Sequence, residues 1–198
     1  MLEARRLRKV YRNGAVPLEV LKGIDLQMAE QGFVAVTGPS GAGKSTLLHL
    51  LAGLDVPTEG EVLWKGRSLS SLSDRERARF RNRTIGVVFQ FYHLLPELTA
   101  LENVMLPALV NGQGGRRALR ERALACLSQV GLKDRARHKP SQLSGGELQP
   151  AAIARALINE PTMILADEPT GNLDSYTGRQ VVDLLIGLHR RQGMGLVL

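Results

Sequence analysis

The chain has 198 residues, of which 43% are hydrophobic and 23% charged, a composition typical of a globular domain with a buried core. Its apolar runs fall far short of the roughly 20 residues that span a bilayer, and residues 1–12 lack the apolar stretch of a secretory signal, so we expect a cytosolic protein. The 26 Lys and Arg against 19 Asp and Glu give a net charge of +7, which favours nucleic acid, anionic lipid or phosphate-bearing ligands as partners.

Strands and helices alternate at the start of the chain. Residues 18–28 place Val20, Ile24, Leu26 and Met28 at even spacing, which predicts a half-buried strand, and the run 33–36 predicts a short, fully buried parallel strand. A helix is predicted over 44–51 and a strand over 61–64. A polar helix over 74–82 follows, with arginines all around its axis as on a solvated surface, and then an apolar strand over 85–89.

The middle of the chain is predicted to be helical. Helices are expected over 101–110 and 116–130, the second ended by Gly131, and the single cysteine, Cys126, belongs to the apolar face of the second helix and is interpreted as core. Strand and helix return over 162–166 and 177–191, and residues 195–198 predict a last strand. We therefore expect one α/β domain, with a core formed by residues 1–90 and 160–198 and a helical subdomain over about 91–159.

The strongest chemical signal fits G-x-x-x-x-G-K-[ST] between a predicted strand and a predicted helix, which indicates a P-loop. Glycines let backbone N–H groups approach a polyphosphate closely, and the dipole of the following helix favours negative charge. We predict that Lys44 reaches the β and γ phosphates, that Ser45 places its hydroxyl on Mg²⁺, and that Thr46 lies beside the phosphates. The predicted nucleotide-binding residues of this loop are Gly38, Pro39, Ser40, Gly41, Ala42, Gly43, Lys44, Ser45 and Thr46.

Two adjacent carboxylates, Asp167 and Glu168, follow the predicted strand 162–166. At the carboxyl end of a parallel strand, these side chains enter the crevice where α/β sheets bind ligands. We predict that Asp167 holds Mg²⁺ through water. Glu168 points differently, because successive strand side chains alternate, and is predicted to orient and deprotonate the attacking water.

A second glycine-rich segment, Leu143-Ser144-Gly145-Gly146-Glu147, opens a predicted helix. Taken alone, Ser144 is interpreted as an ordinary N-cap residue. The alternative is a second anion-binding helix terminus, separate from the P-loop.

Five segments in this order resemble the ATP-binding cassette (ABC) ATPases and cover nearly the whole chain. Residues 38–46 resemble Walker A, Gln90 the Q-loop glutamine, 143–146 the LSGG signature, 163–168 Walker B, and 171–174 the D-loop. The resemblance implies a P-loop NTPase core with an inserted helical subdomain and an N-terminal antiparallel β region. It implies ATP and Mg²⁺ as cofactors, with the following roles: catalysis by Glu168, Lys44 and Gln90; adenine stacking by Tyr11; and Mg²⁺ binding by Ser45, Gln90 and Asp167.

In that family two subunits enclose two nucleotides head to tail. The resemblance therefore implies a homodimer, in which the signature of one subunit meets the P-loop of the other and Asp174 is the D-loop carboxylate. The residues expected to act in trans are Ser144, Gly145, Gly146 and Glu147.

Within the family, residues 89–104 and 165–174 resemble most the lipoprotein-releasing ATPases, with macrolide-exporter and cell-division ATPases as near relatives. The resemblance implies a peripheral subunit on the cytoplasmic face of the bacterial inner membrane, which drives two integral-membrane permease subunits through the helical region after Gln90. The cell-division type, in which the ATP state signals across the membrane, stays open as an alternative. His93 is interpreted as a surface or interface residue.

A DNA-repair ABC ATPase is the remote alternative suggested by the positive charge. Such proteins insert a long coiled coil between Q-loop and signature, whereas here Ser144 follows Gln90 after 54 positions without a sustained heptad pattern. The scattered arginines also fit a face against anionic lipid better than a nucleic-acid groove, so we expect no nucleic-acid partner.

Two departures from the family pattern carry expectations. Leu148 and Pro150 stand where the family usually has Gln and Arg; Pro150 inside the helix costs on the order of 3 kcal/mol or a kink, so we expect a bent or displaced signature helix with weaker γ-phosphate contact. The family's switch histidine would fall shortly beyond Leu198, and none of His49, His93, His138 and His189 replaces it. We therefore expect this chain, as a cassette without its C-terminal part, to bind Mg-ATP but to turn it over poorly.

Overall fold

Two four-stranded sheets form the frame of the chain, which the computed structural model describes over residues 1–12, 16–110, 112 and 115–198. The strands are β1 (Leu2–Tyr11), β2 (Leu18–Met28), β3 (Phe33–Val34), β4 (Glu59–Trp64), β5 (Arg67–Ser68), β6 (Ile85–Val88), β7 (Met163–Ala166) and β8 (Gly195–Val197). One sheet is antiparallel with the order β2-β1-β4-β5, and the other is parallel with the order β3-β8-β7-β6.

The helices are α1 (Lys44–Leu51), α2 (Asp74–Thr84), α3 (Ala100–Val110), α4 (Arg116–Gln129), α5 (Gly145–Leu157) and α6 (Ser175–Gln192). Short 3-10 turns lie at Leu69–Ser71, Lys133–Arg135 and Pro140–Gln142. The α/β architecture, the antiparallel N-terminal region and the helical middle of the chain are therefore as predicted. None of the helices in the described ranges is both long and apolar enough to cross a membrane.

The strand β7 lies inside the parallel sheet, and all four of its residues are buried, as are the three residues of β8. Met163 and Leu165 pack into a cluster with α1 and the antiparallel sheet, whereas Ile164 and Ala166 pack into a second cluster with α3, α4, α5 and α6. This alternation follows from the two-residue period of a strand. The sequence prediction of a buried parallel strand at this position is confirmed.

The prediction of a fully buried strand over 33–36 is wrong. Phe33 is 48% exposed and Val34 is half-buried, because β3 pairs only with β8 in the described part of the sheet and so lies at an edge. In β2, Ile24 is exposed and Leu21 is buried in its place. The even spacing fails there because irregular pairing with β1 and the positive φ of Gly23 shift the strand register.

The helical predictions hold with small changes of boundary. No residue of α2 is buried, as expected for a solvated helix. Cys126 packs in the core of the helical region, and burial raises the pKa of its thiol to about 11. Gly131 follows α4 with a φ of 78°, the left-handed backbone that ends helices.

Helix α5 joins the helical region to the parallel sheet. It packs against α3 and α4 as well as against β6, and a Cβ on Gly86 of β6 would lie 2.8 Å from the carbonyl oxygen of Ala156. The helix and the strand are therefore in backbone contact. α5 also continues through Pro150, so the proline ring does not end the helix; a weaker γ-phosphate contact stays a prediction.

Candidate functional site

The P-loop ends in a helix terminus that is open to an anion. Gly43, the N-cap residue of α1, has a φ of 92° and Gly41 a φ of 80°, conformations that glycine adopts without steric cost. No side chain caps α1, and no acidic residue lies in its first turn. The first N–H groups of this helix are therefore suited to a negatively charged group.

Lys44 lies at the centre of a group of oxygen atoms. Its ammonium donates to the carbonyls of Gly38 at 3.0 Å and Pro39 at 3.1 Å, and it forms an ion pair with Glu168 at 3.2 Å. Two of the three ammonium donors are therefore used by backbone carbonyls, and the Glu168 carboxylate balances the positive charge. The P-loop lysine and the predicted water-activating carboxylate are thus in direct contact.

Ser45 and Asp167 meet beside this group. The Ser45 hydroxyl donates to Asp167 Oδ1 at 2.9 Å, and His49 Nε2 lies 4.0 Å from Asp167 Oδ2. A hydroxyl and a carboxylate oxygen are ligands suited to Mg²⁺, which is bound through few protein groups together with substrate phosphates. The donor set therefore fits the predicted metal.

Gln90 is held by the segment after Glu168. Its side-chain Nε2 donates to Asn172 Oδ1 at 3.4 Å, and Asn172 Nδ2 donates back to the Gln90 carbonyl at 3.0 Å. A Cβ on Gly171 would lie 2.5 Å from Gln90 Nε2, so a larger residue at this position would require the Gln90 side chain to move. The predicted Q-loop and D-loop are therefore interlocked.

The signature residues form a separate cluster. Ser144 precedes α5, and its backbone N–H and hydroxyl both donate to Glu147 Oε2, at 2.8 and 2.9 Å. Arg135 donates to the other oxygen of Glu147 at 2.8 Å. In the described ranges, no hydrogen bond or ion pair links residues 144–147 with residues 38–46.

The comparisons with known proteins agree with this geometry. The family model described as ABC transporter matches residues 21–171. The lipoprotein-releasing system ATP-binding protein LolD of Xanthomonas campestris pv. campestris (strain 8004) is 55% identical over 198 residues, which are 100% of this chain and 82% of the relative. The LolD of Syntrophus aciditrophicus (strain SB) is 51% identical over 100% of this chain and 88% of its own length.

Among solved structures, the ATP-binding cassette MJ0796 in a dimeric post-hydrolysis state bound to ADP and Pi matches with a TM-score of 0.91. It is 44% identical, over 100% of this chain and 86% of the matched chain.

The chain belongs to the ABC transporter family. As an ABC ATPase it binds ATP, and the predicted family and fold are confirmed. The parallel sheet brings Lys44, Ser45, Asp167 and Glu168 together, while Ser144 and Glu147 lie in a cluster of their own. The roles of the individual residues stay predictions.

Tyr11, which is predicted to stack on adenine, is the last residue of β1 in this ABC ATPase and contacts Asp55 and Lys9. Its hydroxyl donates to Asp55 at 3.1 Å, and Lys9 Nζ lies 4.9 Å from the centre of its ring. Burial raises the pKa of Asp55, but hydrogen bonds from Lys9, Val56 and Tyr11 outweigh it and the net pKa is lowered. A role beside adenine stays a prediction.

Sequence reasoning missed the residues that hold the motifs in place. Arg135 pairs with the signature helix, Asn172 bridges to the Q-loop, and Arg155 donates to the backbone just after Gln90. Asn172 lies inside the D-loop motif and could have been singled out there. In the sequence, Arg135 and Arg155 look like the many solvated arginines, and only their contacts in the folded chain distinguish them.

Asp174 and Gly146 connect the D-loop with the signature within one chain. Asp174 caps α6 by accepting from the N–H groups of Tyr176 and Thr177, both at 3.0 Å. A Cβ on Gly146 would lie 3.1 Å from Thr177 Cγ2, so the start of α5 packs tightly on the start of α6. The predicted signature of the ABC ATPase therefore lies against the helix that follows the predicted D-loop.

The first prediction concerns the charge of Glu147. The hydrogen bond from Arg135, followed by those from Ser144, lowers its pKa from 4.5 to about 2. Because the folded pKa is lowered, the contribution of this carboxylate to stability is present above pH 4.5 and is lost as the pH falls towards 2. Arg135→Ala should raise the Glu147 pKa, yet leave it below 4.5 because the Ser144 bonds remain.

The measurement is an NMR titration of the Glu147 carboxyl carbon. Arg120→Ala, which removes an exposed arginine of α4, serves as the control and should leave the titration unchanged. An unaltered Glu147 pKa in Arg135→Ala would contradict the electrostatic account of this cluster.

Proposed function

We propose that this chain is the ATP-binding and ATP-hydrolysing subunit of a transporter that releases lipoproteins from the bacterial inner membrane. The observation that carries the hydrolytic part is the convergence of Lys44 with Glu168 and of Ser45 with Asp167. The transported class is supported by relatives named as lipoprotein-releasing system ATP-binding proteins, at 51–55% identity over the whole chain.

The residues at the carboxyl edge of the sheet divide the chemistry between them. The N–H groups at the start of α1 and the Lys44 ammonium hold the phosphates, while Ser45, Asp167 and Gln90 are the residues that would hold Mg²⁺. The metal, when bound, supplies positive charge to the phosphate oxygens. Glu168 then orients a water molecule and accepts its proton, the step that a general base performs in phosphoryl transfer.

The ion pair between Lys44 and Glu168 implies that nucleotide binding precedes the action of Glu168 as a base. Lys44 donates to the carbonyls of Gly38 and Pro39 and forms an ion pair with Glu168, so a phosphate that engages its ammonium competes with these partners. The Glu168 side chain is 44% exposed, and the terminal phosphate is proposed to replace it beside Lys44. Binding of the nucleotide thereby frees the general base.

A homodimer completes the proposed site. The ABC cassette MJ0796 is dimeric with ADP and Pi bound, and the separate cluster around Ser144 and Glu147 leaves the signature free to face another subunit. In this arrangement Ser144, Gly145, Gly146 and Glu147 contact the γ phosphate of the partner's nucleotide, and Asp174 lies at the same interface.

The helical region is the proposed contact with two integral-membrane permease subunits. Phe91, Leu95, Leu109 and Val110 are 65%, 47%, 52% and 82% exposed, and all belong to the segment 91–110. Contiguous exposed apolar patches mark partner surfaces, and we propose that these side chains form one. We further propose that the subunit lies peripherally at the cytoplasmic face of the inner membrane and has no nucleic-acid partner.

The second prediction separates nucleotide binding from hydrolysis. Lys44→Ala should weaken binding of Mg-ATP by at least about tenfold, since a charge-assisted bond to phosphate is lost. Glu168→Gln should bind Mg-ATP at least as tightly, because a neutral glutamine competes less for Lys44, but should lower kcat by about 10²–10⁴-fold, the range of general-base catalysis. Binding is measured by calorimetry, and turnover by phosphate release.

Two exposed residues give matched controls. Lys22→Ala and Glu97→Gln make the same chemical changes elsewhere on the surface and should alter neither quantity. Equal loss of affinity in Lys44→Ala and Lys22→Ala would contradict the P-loop assignment. Full turnover by Glu168→Gln would exclude Glu168 as the base.

The third prediction concerns the cargo. In a bacterium depleted of its own LolD, expression of this chain should restore part of the transfer of lipoproteins from the inner to the outer membrane, within the limit of the poor turnover expected for it, and its Lys44→Ala variant should restore none. Lipoprotein is followed by membrane fractionation. Co-purification with a permease unrelated to lipoprotein release, without restored transfer, would contradict the proposed cargo while leaving the ATPase assignment intact.

A further inference from the structure

Side chains from one helix, α5, bind the backbone on both sides of Gln90. Gln149 Nε2 of α5 donates to the Phe89 carbonyl at 3.4 Å. Farther along α5, Arg155 Nη2 donates to the Tyr92 carbonyl at 2.7 Å, and its Nη1 donates to the carbonyl of His93. Three carbonyls around Gln90 are thus bound by the helix that begins with the signature.

Arg155 binds a loop whose backbone has an unfavourable conformation at two residues, 92 and 93. Tyr92 and His93 have φ angles of 54° and 49°, a left-handed conformation that is unfavourable for residues other than glycine and persists only where surrounding contacts impose it. The Arg155 guanidinium is half-buried, and burial lowers its pKa. Its fixed fork of donors matches two neighbouring carbonyls, which a point charge such as lysine cannot do equally well.

Helix α5 is itself a rigid support. Gly86 of β6 and the Ala156 carbonyl are in contact with no room for a Cβ, so the C-terminal half of α5 lies directly on the strand that leads into Gln90. Gln149 is fully buried. Its Oε1 atom has no hydrogen-bond partner among the described residues. The bond from Nε2 to the Phe89 carbonyl is therefore the polar contact that the side chain makes there.

We infer that Arg155 is a positioning residue that, with Gln149, ties the loop after β6 to the signature helix and thereby sets the place of Gln90. Movement of the signature helix, for example when it meets a nucleotide across the dimer, then reaches Gln90 through these carbonyls. The inference rests on the proposed role of Gln90 at Mg²⁺ for its functional part, whereas the clamp itself is a property of the chain without nucleotide.

Hydrogen exchange tests the clamp directly, without nucleotide or metal. In Arg155→Lys, amides of residues 91–95 should exchange at least about tenfold faster, because bonds to a charged donor are lost or weakened. Amides of β7 should be unchanged. Arg155→Ala should show a larger effect in the same segment, and Arg155→Lys keeps the test valid where the alanine variant does not fold.

Arg81→Ala is the matched control. Arg81 is also a helical arginine with a pKa lowered by burial, and its Nη1 donates to the Gly53 carbonyl at 2.7 Å, outside the Q-loop. It should lower thermal stability without faster exchange over residues 91–95. Equal exchange of these amides in wild type and Arg155→Lys would overturn the clamp.

A second measurement tests the link to Gln90. The ratio of ATP affinities with and without Mg²⁺ should fall by about threefold or more in Arg155→Lys, because Gln90 contributes only when Mg²⁺ is present. In a Gln90→Ala background, Arg155→Lys should not change this ratio further. A further fall of the affinity ratio in that background would show that Arg155 does not act through Gln90. An unchanged ratio in Gln90→Ala alone would contradict the proposed role of Gln90 at Mg²⁺, and the hydrogen-exchange rates would still test the contact between Arg155 and the loop.

Discussion

The strand β7 is buried on both faces, and its parallel register with β6 and β8 determines where Asp167 and Glu168 emerge. Val88 pairs with Ala166, and the Asp167 N–H donates to the Val88 carbonyl at 2.9 Å. Each fully buried Met, Ile or Leu contributes about 1.5–3 kcal/mol, and a slip of one residue would exchange the two faces of the strand. The position of the two carboxylates is therefore set by the hydrophobic core.

The same register aligns the other loops of the site. β8 lies between β3 and β7, and the pairing continues beyond β3, where the Val36 N–H donates to the Leu198 carbonyl at 2.7 Å. The P-loop, the Q-loop and the Walker B carboxylates thus follow β3, β6 and β7 at the carboxyl ends of the strands, the place where parallel α/β sheets bind ligands. The Lys44 ammonium and the Glu168 carboxylate form an ion pair there, so a bound polyphosphate competes with this contact.

Local patterns predicted most of this architecture, because helices, strands and the P-loop are encoded by nearby residues. The predictions failed where burial depends on distant neighbours: Phe33 is apolar but lies at an edge, and Leu21 replaces Ile24 in the core after a shift of strand register. Contacts such as Arg155 with the Tyr92 carbonyl join residues 63 positions apart. No periodicity distinguishes that arginine from a solvated one.

We propose that Ser45 and Asp167 act as one unit on the metal of the bound nucleotide. A double-mutant cycle on the affinity for Mn-ATP, with Ser45→Ala, Asp167→Asn and the double variant, measures this most directly. We expect a coupling free energy of about 1 kcal/mol or more between the two residues, the size seen for residues that share a contact. Additive losses, with a coupling near zero, would contradict it.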